Sequence, residues 1–218
     1  VPLAKAFDYG YYDQMVHLLR GFLGQVLKSN ESLKFAVLTG CMRIAKESIF
    51  TGLNNLTIRS VTDVRFDEYF GFTDREVQEL LTYYECEEHY QLTKEWYDGY
   101  QFGNVDVYCP WDVLNYCDAL QADKEAEPQN YWMNTSSNEI VRKFIQKAEG
   151  KTTKREIERL IAGEEIQKEI CQELTYQDMY ADIAHIWSVL FTTGYLTQHG
   201  RPEGNEIRLA IPNLEIRN

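Results

Sequence analysis

KFAVLT, residues 34–39, is the stretch of sequence that decides the predicted fold class, because it is short and almost continuously apolar. Runs of this kind are typical of strands buried on both faces of a parallel sheet. Before it, residues 13–27 repeat their apolar side chains at the helical period. After it, residues 44–50 are predicted as a second helix and residues 57–64, rich in Thr, Ile and Val, as a second strand. Strand, helix and strand in this order predict part of a layered α/β domain.

The remainder of the chain is predicted to be mostly helical, and capping boxes mark several of its helix starts. Ser or Thr is followed three residues later by Glu at Thr73–Glu76, Ser136–Glu139 and Thr153–Glu156. Pro110 suits the first turn of a further helix, because a missing amide proton costs nothing there. The polar segment 121–129 is predicted to be an exposed connection.

Residues 177–218 are predicted to form a separate unit of one helix and one hairpin. The helix covers residues 181–191 and is closed by Gly194, and residues 195–198 pair with residues 207–211 across a glycine-rich turn. This order of elements predicts a winged-helix-like unit, although a helix packed on any hairpin has the same pattern. Winged helices often bind DNA, but the predicted hairpin tip is not basic, so DNA contact there is not favoured.

Composition and charge exclude several classes of protein. The 218 residues carry 34 acidic and 22 basic side chains, a formal net charge of −12, and 44% of them are hydrophobic. This hydrophobic share is that of an ordinary globular protein, while the negative charge disfavours a protein that grips nucleic acid by bulk electrostatics. The first 63 residues hold seven basic and five acidic side chains, so an anion site is expected there and not in the strongly acidic remainder.

The sequence gives no sign of a membrane span, a secretory leader or a metal site. No apolar run approaches the roughly 20 residues that a membrane helix needs. The chain begins with Val1-Pro2 and not with Met, which creates the expectation that an upstream segment is missing. Five cysteines without a CxxC pair predict free thiols in a reducing cytoplasm. The four histidines lie far apart and form no metal-binding pattern.

Thr39 and Arg43 are the candidate site residues. They follow the predicted buried strand, and parallel sheets place their ligands beyond the carboxyl ends of their strands. Thr39 is suited to position a water or a phosphate there, and Arg43 offers a fork of donors to phosphate oxygens. The alternative is a threonine that caps a turn and an arginine on the surface. The only GK[ST] triplet, residues 150–152, follows a predicted helix and lacks the glycine that a phosphate loop needs five residues earlier.

An aromatic segment and the acidic runs of the sequence each have a structural and a functional interpretation. The segment WYDGYQFG, residues 96–103, is aromatic and punctuated by glycine, and we interpret it as a packed turn in preference to the edge of a pocket. A carbohydrate hydrolase lined by Tyr and Trp would also require paired carboxylates in a cleft. The acidic runs of this sequence are instead typical of solvated faces.

A series of short motifs runs in one order over nearly the whole chain. They are Val1–Leu3, Leu38–Gly40, Arg43–Lys46, Ser48–Phe50, Asn54–Leu56, Trp96–Tyr100, Tyr108–Trp111, Tyr131-Trp132, Asn134–Asn138, Leu190-Phe191, Thr193–Leu196 and Ile211–Asn213. In this order they resemble a bacterial family of AAA-ATPase-like proteins, which often carry a PD-(D/E)XK-type nuclease domain at the C-terminus.

The resemblance implies a mixed α/β chain that is predominantly helical, with a partial P-loop-type parallel sheet, a helical lid and a winged-helix-like C-terminal unit. Residues 1–66 would belong to the ATPase core, residues 67–176 to the lid region and residues 177–218 to the winged-helix-like unit. On this template Thr39 lies at the sensor position of the sheet, and Arg43 is a phosphate-sensing or finger arginine.

Two parts of the family pattern are missing from the sequence. The P-loop and the acidic Walker B residues would precede Val1, and the nuclease-like domain would follow Asn218. Phosphoryl transfer depends on a phosphate cradle and a metal-holding acid. We therefore expect the sensor and lid part of an AAA-type ATPase that is inactive alone, whereas the whole protein uses ATP and Mg²⁺.

The expected partners of this part are the upstream P-loop region and the downstream nuclease-like domain of the same protein. A further protein partner is compatible with the sequence, nucleic acid is not supported by the charge, and no membrane is expected. The alternative function is a non-enzymatic module that binds a protein or a nucleic acid.

Overall fold

The computed structural model describes residues 2–28, 30–40, 56–132, 151–175 and 185–218. Within these residues, helices are combined with two small antiparallel sheets of three strands each, so the predicted mixed α/β class is confirmed. The chain divides into two compact units. The first, which we call the helical unit, contains residues 1–58 and 170–193; the second, the two-sheet unit, contains residues 59–169 and 194–218.

The elements are numbered in chain order. The helices are α1 (Pro2–Asp8), α2 (Tyr12–Leu27), α3 (Asp74–Tyr83), α4 (Tyr90–Tyr97), α5 (Pro110–Ala122), α6 (Lys151–Ile161), α7 (Ile186–Thr192) and α8 (Leu214–Arg217). The strands are β1 (Phe72–Thr73), β2 (Tyr100–Phe102), β3 (Val105–Tyr108), β4 (Ile166–Glu169), β5 (Thr197–Gln198) and β6 (Glu206–Ala210).

The helical unit begins with α1 packed on α2. Leu3 of α1 is buried together with Tyr12 and Val16 of α2, and the rings of Phe7 and Tyr12 meet edge to face at 5.8 Å between centroids. Tyr12 and Val16 are four residues apart, so they lie on one face of the helix. Helix α2 confirms the helix that the apolar period of residues 13–27 predicts.

The predicted strand KFAVLT is not a strand in the structure. Residues 34–40 are irregular, and Phe35 and Val37 have 81% and 70% of their surface exposed. Residues 57–64 form irregular chain and turns, and both sheets are antiparallel, so the predicted parallel sheet is not confirmed. A strand that is apolar on both faces needs paired neighbours and covering layers, and the described residues provide none for this segment.

The first sheet of the two-sheet unit has the strand order β1-β3-β2 and packs with α3, α4 and α5. Phe72 lies opposite Tyr108, and Tyr100 lies opposite Val107. The core beside this sheet is made of apolar and aromatic side chains at helical spacing, which are Val77, Leu81, Tyr97, Val113, Tyr116, Cys117 and Leu120.

The second sheet has the strand order β4-β6-β5. Gln198 lies opposite Leu209, which confirms the pairing predicted between residues 195–198 and 207–211. Strand β4 has the sequence IQKE, in which only Ile166 is fully buried, so its pattern did not reveal it. The winged-helix-like unit is not confirmed, because the hairpin completes its sheet with a strand from outside residues 177–218. The division into three domains stays a prediction.

Two predicted helix starts are confirmed. Thr73 caps α3: the Thr73 hydroxyl accepts a hydrogen bond from the Glu76 amide at 3.4 Å, and the Glu76 carboxylate accepts one from the Thr73 amide at 2.8 Å. Pro110 occupies the first turn of α5. Both starts follow from local chemistry, since each involves groups within one turn of helix.

The other predicted helix positions have mixed outcomes. Helix α6 is described from Lys151, so the start predicted at Thr153 lies inside the helix. The chain leaves α6 through Gly163, whose φ of +89° favours glycine. The helix predicted over residues 44–50 and the capping box of residues 136–139 lie outside the described residues.

Candidate functional site

The two site residues predicted from the sequence are not brought together in the described part of the chain. Thr39 lies in the irregular segment of the helical unit and its side chain is exposed. Arg43 lies outside the described residues. The sensor roles of Thr39 and Arg43 therefore stay predictions.

The aromatic segment 96–103 is packed within the two-sheet unit. The Tyr97 hydroxyl donates to the Gln129 carbonyl oxygen and accepts from the Gln129 amide, both at 3.0 Å. The Tyr100 hydroxyl donates to the Gly194 carbonyl oxygen at 3.0 Å. At Gly99 the backbone runs so close to the Pro212 carbonyl that a β-carbon would collide with it. These contacts agree with the interpretation of a packed turn.

Several of the short motifs meet next to this turn around two buried carboxyl groups. Asp112 in the first turn of α5 and Glu215 in α8 have 2% and 1% of their surface exposed. The Trp132 amide donates to Glu215 Oε1 at 2.8 Å, and the Asn130 side-chain amide donates to the Glu215 carbonyl oxygen at 3.0 Å. We call Asp112 and Glu215 the buried carboxyl pair, and it is the most unusual chemistry in the described residues.

The two carboxyl groups of the pair are hydrogen-bonded to each other. The pKa of Glu215 is raised to about 8. Burial is the largest cause and the hydrogen bond and charge of Asp112 also raise the pKa, while the backbone amides of Trp132 and Tyr131 lower it. Burial also raises the pKa of Asp112, while hydrogen bonds from Cys109 and Glu215 lower it. A hydrogen bond between two carboxyl groups requires a proton, so the pair holds one proton near neutral pH.

The Cys109 thiol next to the pair is not activated for nucleophilic attack. Its pKa is raised to about 12, chiefly by burial and in part by the neighbouring Asp112. A thiol attacks as its thiolate, so Cys109 is inert at neutral pH. Because the pair is buried, it does not form the open carboxylate cleft that a carbohydrate hydrolase requires.

A second polar cluster surrounds Asp74 at the start of α3. Asp74 Oδ1 accepts from the Tyr108 hydroxyl at 2.7 Å, the Tyr90 hydroxyl at 2.8 Å and the Lys94 ammonium at 3.1 Å. Burial raises the pKa of Asp74, but these hydrogen bonds outweigh it and lower the pKa below its ordinary value. Lys94 also lies 3.5 Å from Asp98. The hydrogen bonds to Asp74 connect α3, α4 and β3.

Neither cluster has the composition of a metal site. Among the residues described, no group of three or more His, Cys, Asp or Glu side chains is arranged to hold a metal ion. In the same residues, no helix is both long and apolar enough to cross a bilayer.

The buried carboxyl pair was not predicted, although both of its residues lie close to motifs that the sequence singled out. Asp112 directly follows the Tyr108–Trp111 motif, and Glu215 lies two residues after the Ile211–Asn213 motif. The acidic residue in the first turn of α5 has a local explanation, since it complements the helix dipole. No pattern within one element indicates that Asp112 meets Glu215 from the far end of the chain.

Comparison with known proteins identifies the N-terminal part of the chain. A family model described as AAA-ATPase-like, predicted AAA-ATPase, matches residues 2–50. By this match, residues 2–50 are similar to the predicted AAA-ATPase family. The matched residues include Thr39 and Arg43 and lie before the buried carboxyl pair.

A curated relative aligns with nearly all of this chain. It is an uncharacterised protein from the vnfD 5' region of Azotobacter chroococcum mcd 1, and it is 26% identical to this chain over 203 residues. The alignment covers 91% of this chain and 36% of the relative, so the chain spans about a third of the length of the relative it matches. No solved structure is significantly similar to the chain.

Proposed function

We propose that the chain is the sensor and lid part of an AAA-type ATPase, in which Thr39 and Arg43 face the nucleotide. The observation that carries this proposal is the family match over residues 2–50, because both residues lie inside it. In this role Thr39 orients a water or a phosphate oxygen, and Arg43 stabilises the negative charge that phosphoryl transfer develops. Residues 67–176 form the lid region, and residues 177–218 the winged-helix-like unit.

The described residues alone do not fit a nucleotide and its Mg²⁺. A phosphate-binding loop leads from a strand into a helix with its amides around the phosphates. The only GK[ST] triplet instead places Lys151 at the described beginning of α6, and the described residues contain no cluster of acids for a metal. ATP and Mg²⁺ would therefore be held by other parts of the protein, with Thr39 and Arg43 as contributors from this chain.

Two observations support an assignment to part of a larger protein. The relative from Azotobacter chroococcum is considerably longer than the aligned region. Phe35, Val37 and Leu38 are apolar and exposed in a segment with the composition of a buried strand, which suits a strand that other parts of the protein complete. We propose that its partners are a P-loop region before it and a nuclease-like domain after it, in the cytoplasm.

The first experiment measures ATP hydrolysis by the 218-residue chain and by the longer protein that contains it. We expect turnover by the longer protein and none by the chain, because the chain lacks the phosphate cradle that transfer requires. Turnover by the purified chain alone would contradict the proposal.

The second experiment changes Arg43→Ala in the longer protein. We expect a loss of ATP turnover of about 10³-fold, the smaller effect of removing a phosphate-stabilising arginine, with folding unchanged by circular dichroism. Arg20→Ala is the matched control, because Arg20 is exposed on α2 and is not placed near the nucleotide. Equal turnover by both variants would remove the sensor role from Arg43.

The alternative function is a non-enzymatic interaction module, and one observation favours it. The loop before β1 exposes Val64, Phe66, Tyr69 and Phe70, each with more than half of its surface in contact with solvent. Exposed apolar side chains in such density are typical of interaction sites. If Arg43→Ala leaves turnover intact while changes in this loop abolish binding of a partner, the interaction module is the correct function.

A further inference from the structure

The short helix α8 is attached to the two-sheet unit through Glu215. Its carboxylate accepts from the Trp132 amide and its carbonyl oxygen accepts from the Asn130 side chain. The helix has four residues and is capped by Asn213, whose Oδ1 accepts from the Ile216 amide at 3.1 Å. Helices of this length are not stable on their own. The position of α8 therefore depends on its tertiary contacts, which include the packing against α4 and the hydrogen bonds of Glu215.

One oxygen of each carboxyl group in the buried pair has no donor from another residue. These oxygens, Asp112 Oδ1 and Glu215 Oε2, are buried without a hydrogen-bond partner among the described atoms. Asp112 and Glu215 are hydrogen-bonded to each other. Two carboxylates in contact and out of water repel each other strongly. The arrangement is therefore stable only with one proton between the two groups.

Among the described residues, the groups that face the pair supply no compensating positive charge. They are Tyr97 of α4, Tyr100 of β2, Cys109 before α5 and Tyr131 before Trp132. Burial raises the pKa of each of these four groups above its ordinary value, so all four are neutral between pH 5 and pH 8. No ion pair to Asp112 or Glu215 from Lys, Arg or His is present in the part of the chain that the structure describes.

We propose that the buried carboxyl pair is a pH-sensitive switch that holds α8 against residues 130–132 while it keeps its proton and releases α8 when the proton is lost. In the closed form the proton joins α5 to α8. In the open form Glu215 is in water and fully ionised at neutral pH. The switch acts on the position of α8 and does not depend on the proposed ATPase function.

The direction of the pH dependence follows from the two protonation states. Glu215 has a pKa of about 8 in the closed form and an ordinary value of 4.5 in water. A carboxyl group whose pKa is raised by closing favours the closed form fully below the ordinary value and loses that effect as pH rises to the raised value. From about pH 5 to about pH 8, the opening constant therefore increases by about two to three orders of magnitude. It levels off above that range.

Hydrogen exchange of the full 218-residue chain tests this inference. Exchange is followed from about pH 5 to about pH 9, corrected for the intrinsic rate, in peptides that contain the amides of Trp132 and Ile216. We expect the protection of these amides to fall about 100-fold or more over this range, while the peptide that contains α3 keeps its protection. Protection of Trp132 and Ile216 that does not change with pH would overturn the proposal.

Glu215→Gln separates the switch from a merely structural role of the side chain. In this variant the side-chain carbonyl oxygen of the glutamine still accepts a hydrogen bond from the Trp132 amide, and its side-chain NH2 group donates one to Asp112. The glutamine side chain has no proton to lose in this pH range. We expect this variant to keep α8 protected at all pH values. Glu169→Gln, an exposed change on β4, is expected to keep the wild-type profile.

A second variant covers the case in which Glu215→Gln does not fold. Asp112→Asn removes the charge and the carboxyl hydrogen bond that help to raise the pKa of Glu215, while burial, the larger cause, remains. We therefore expect the protection of Trp132 and Ile216 to fall less with pH than in the wild type. If either folded variant retains the full wild-type dependence, the pair is not the switch.

Discussion

At the scale of single residues, the most constrained position is Gly99 in the aromatic turn. Its φ is +104°, a region that side chains with a β-carbon rarely adopt. The Pro212 carbonyl oxygen occupies the space where a β-carbon would be built. Gly99 is therefore required twice, by its backbone angle and by the close approach of the segment that precedes α8.

We expect Gly99→Ala to lower the free energy of unfolding by about 3 kcal/mol, because backbone strain and overpacking each cost about 1–3 kcal/mol. Urea unfolding followed by circular dichroism measures the change. Gly21→Ala is the matched control: Gly21 is inside α2 with no atom within 4 Å of an added β-carbon, and we expect a gain of about 0.5–1 kcal/mol. A neutral Gly99→Ala would show that Pro212 moves away at little cost.

At the scale of elements, α3 shows how a helix is fixed by its own first turn. Thr73 and Glu76 exchange hydrogen bonds between side chain and backbone, so two amides at the helix start are satisfied. Asp74 in the same turn carries the contacts to Tyr90, Lys94 and Tyr108. The capping box therefore also places the residue that joins α3 to α4 and β3.

We expect Thr73→Ala to lower the free energy of unfolding of the two-sheet unit by about 1 kcal/mol. Thr73→Ser, which keeps the hydroxyl, is the control and is expected to have little effect. Hydrogen bonds from the Thr73 amide and hydroxyl lower the pKa of Glu76. The stability that they provide is present above the ordinary carboxyl pKa and lost as pH falls through the lowered value. The difference between the Thr73→Ala variant and the wild type should therefore shrink in acid, and a difference independent of pH would exclude the role of Glu76.

At the scale of the whole molecule, charge is distributed unevenly along the chain. The net charge of −12 comes from the sequence after residue 63, where 29 acidic side chains stand against 15 basic ones. Net charge of this size destabilises a compact state through self-repulsion. Salt screens such repulsion over distances of about 10 Å at 0.1 M.

We therefore expect the urea midpoint of unfolding to rise when NaCl is increased from about 20 mM to about 200 mM at pH 8, since screening relieves repulsion. The same measurement near pH 5, where many carboxylates are protonated, is the control and should show a much smaller rise. A midpoint that falls with salt at pH 8 would mean that the ion pairs of the described residues outweigh the repulsion.

The sequence by itself determined the features that depend on neighbouring residues. The apolar period of residues 13–27 predicted α2, Thr73–Glu76 predicted the start of α3, and Pro110 predicted the start of α5. The pairing of β5 with β6 followed from two short strands around a glycine-rich turn. Each of these signals involves residues that are close to one another in the sequence. It can therefore be recognised without knowing the rest of the fold.

Only the tertiary structure decided which distant groups meet and whether an apolar stretch is covered. KFAVLT has the composition of a buried strand, yet in the described residues it is exposed, because burial depends on neighbours and not on the stretch itself. The buried carboxyl pair could not be predicted either, since Asp112 and Glu215 belong to the two separate segments of the two-sheet unit, 59–169 and 194–218. Local hydrogen bonds and apolar periodicity involve residues that are close in sequence, so the sequence alone reveals them. Burial, and the raised pKa of a buried carboxyl group, depend on residues that are distant in sequence and come together only in the folded chain.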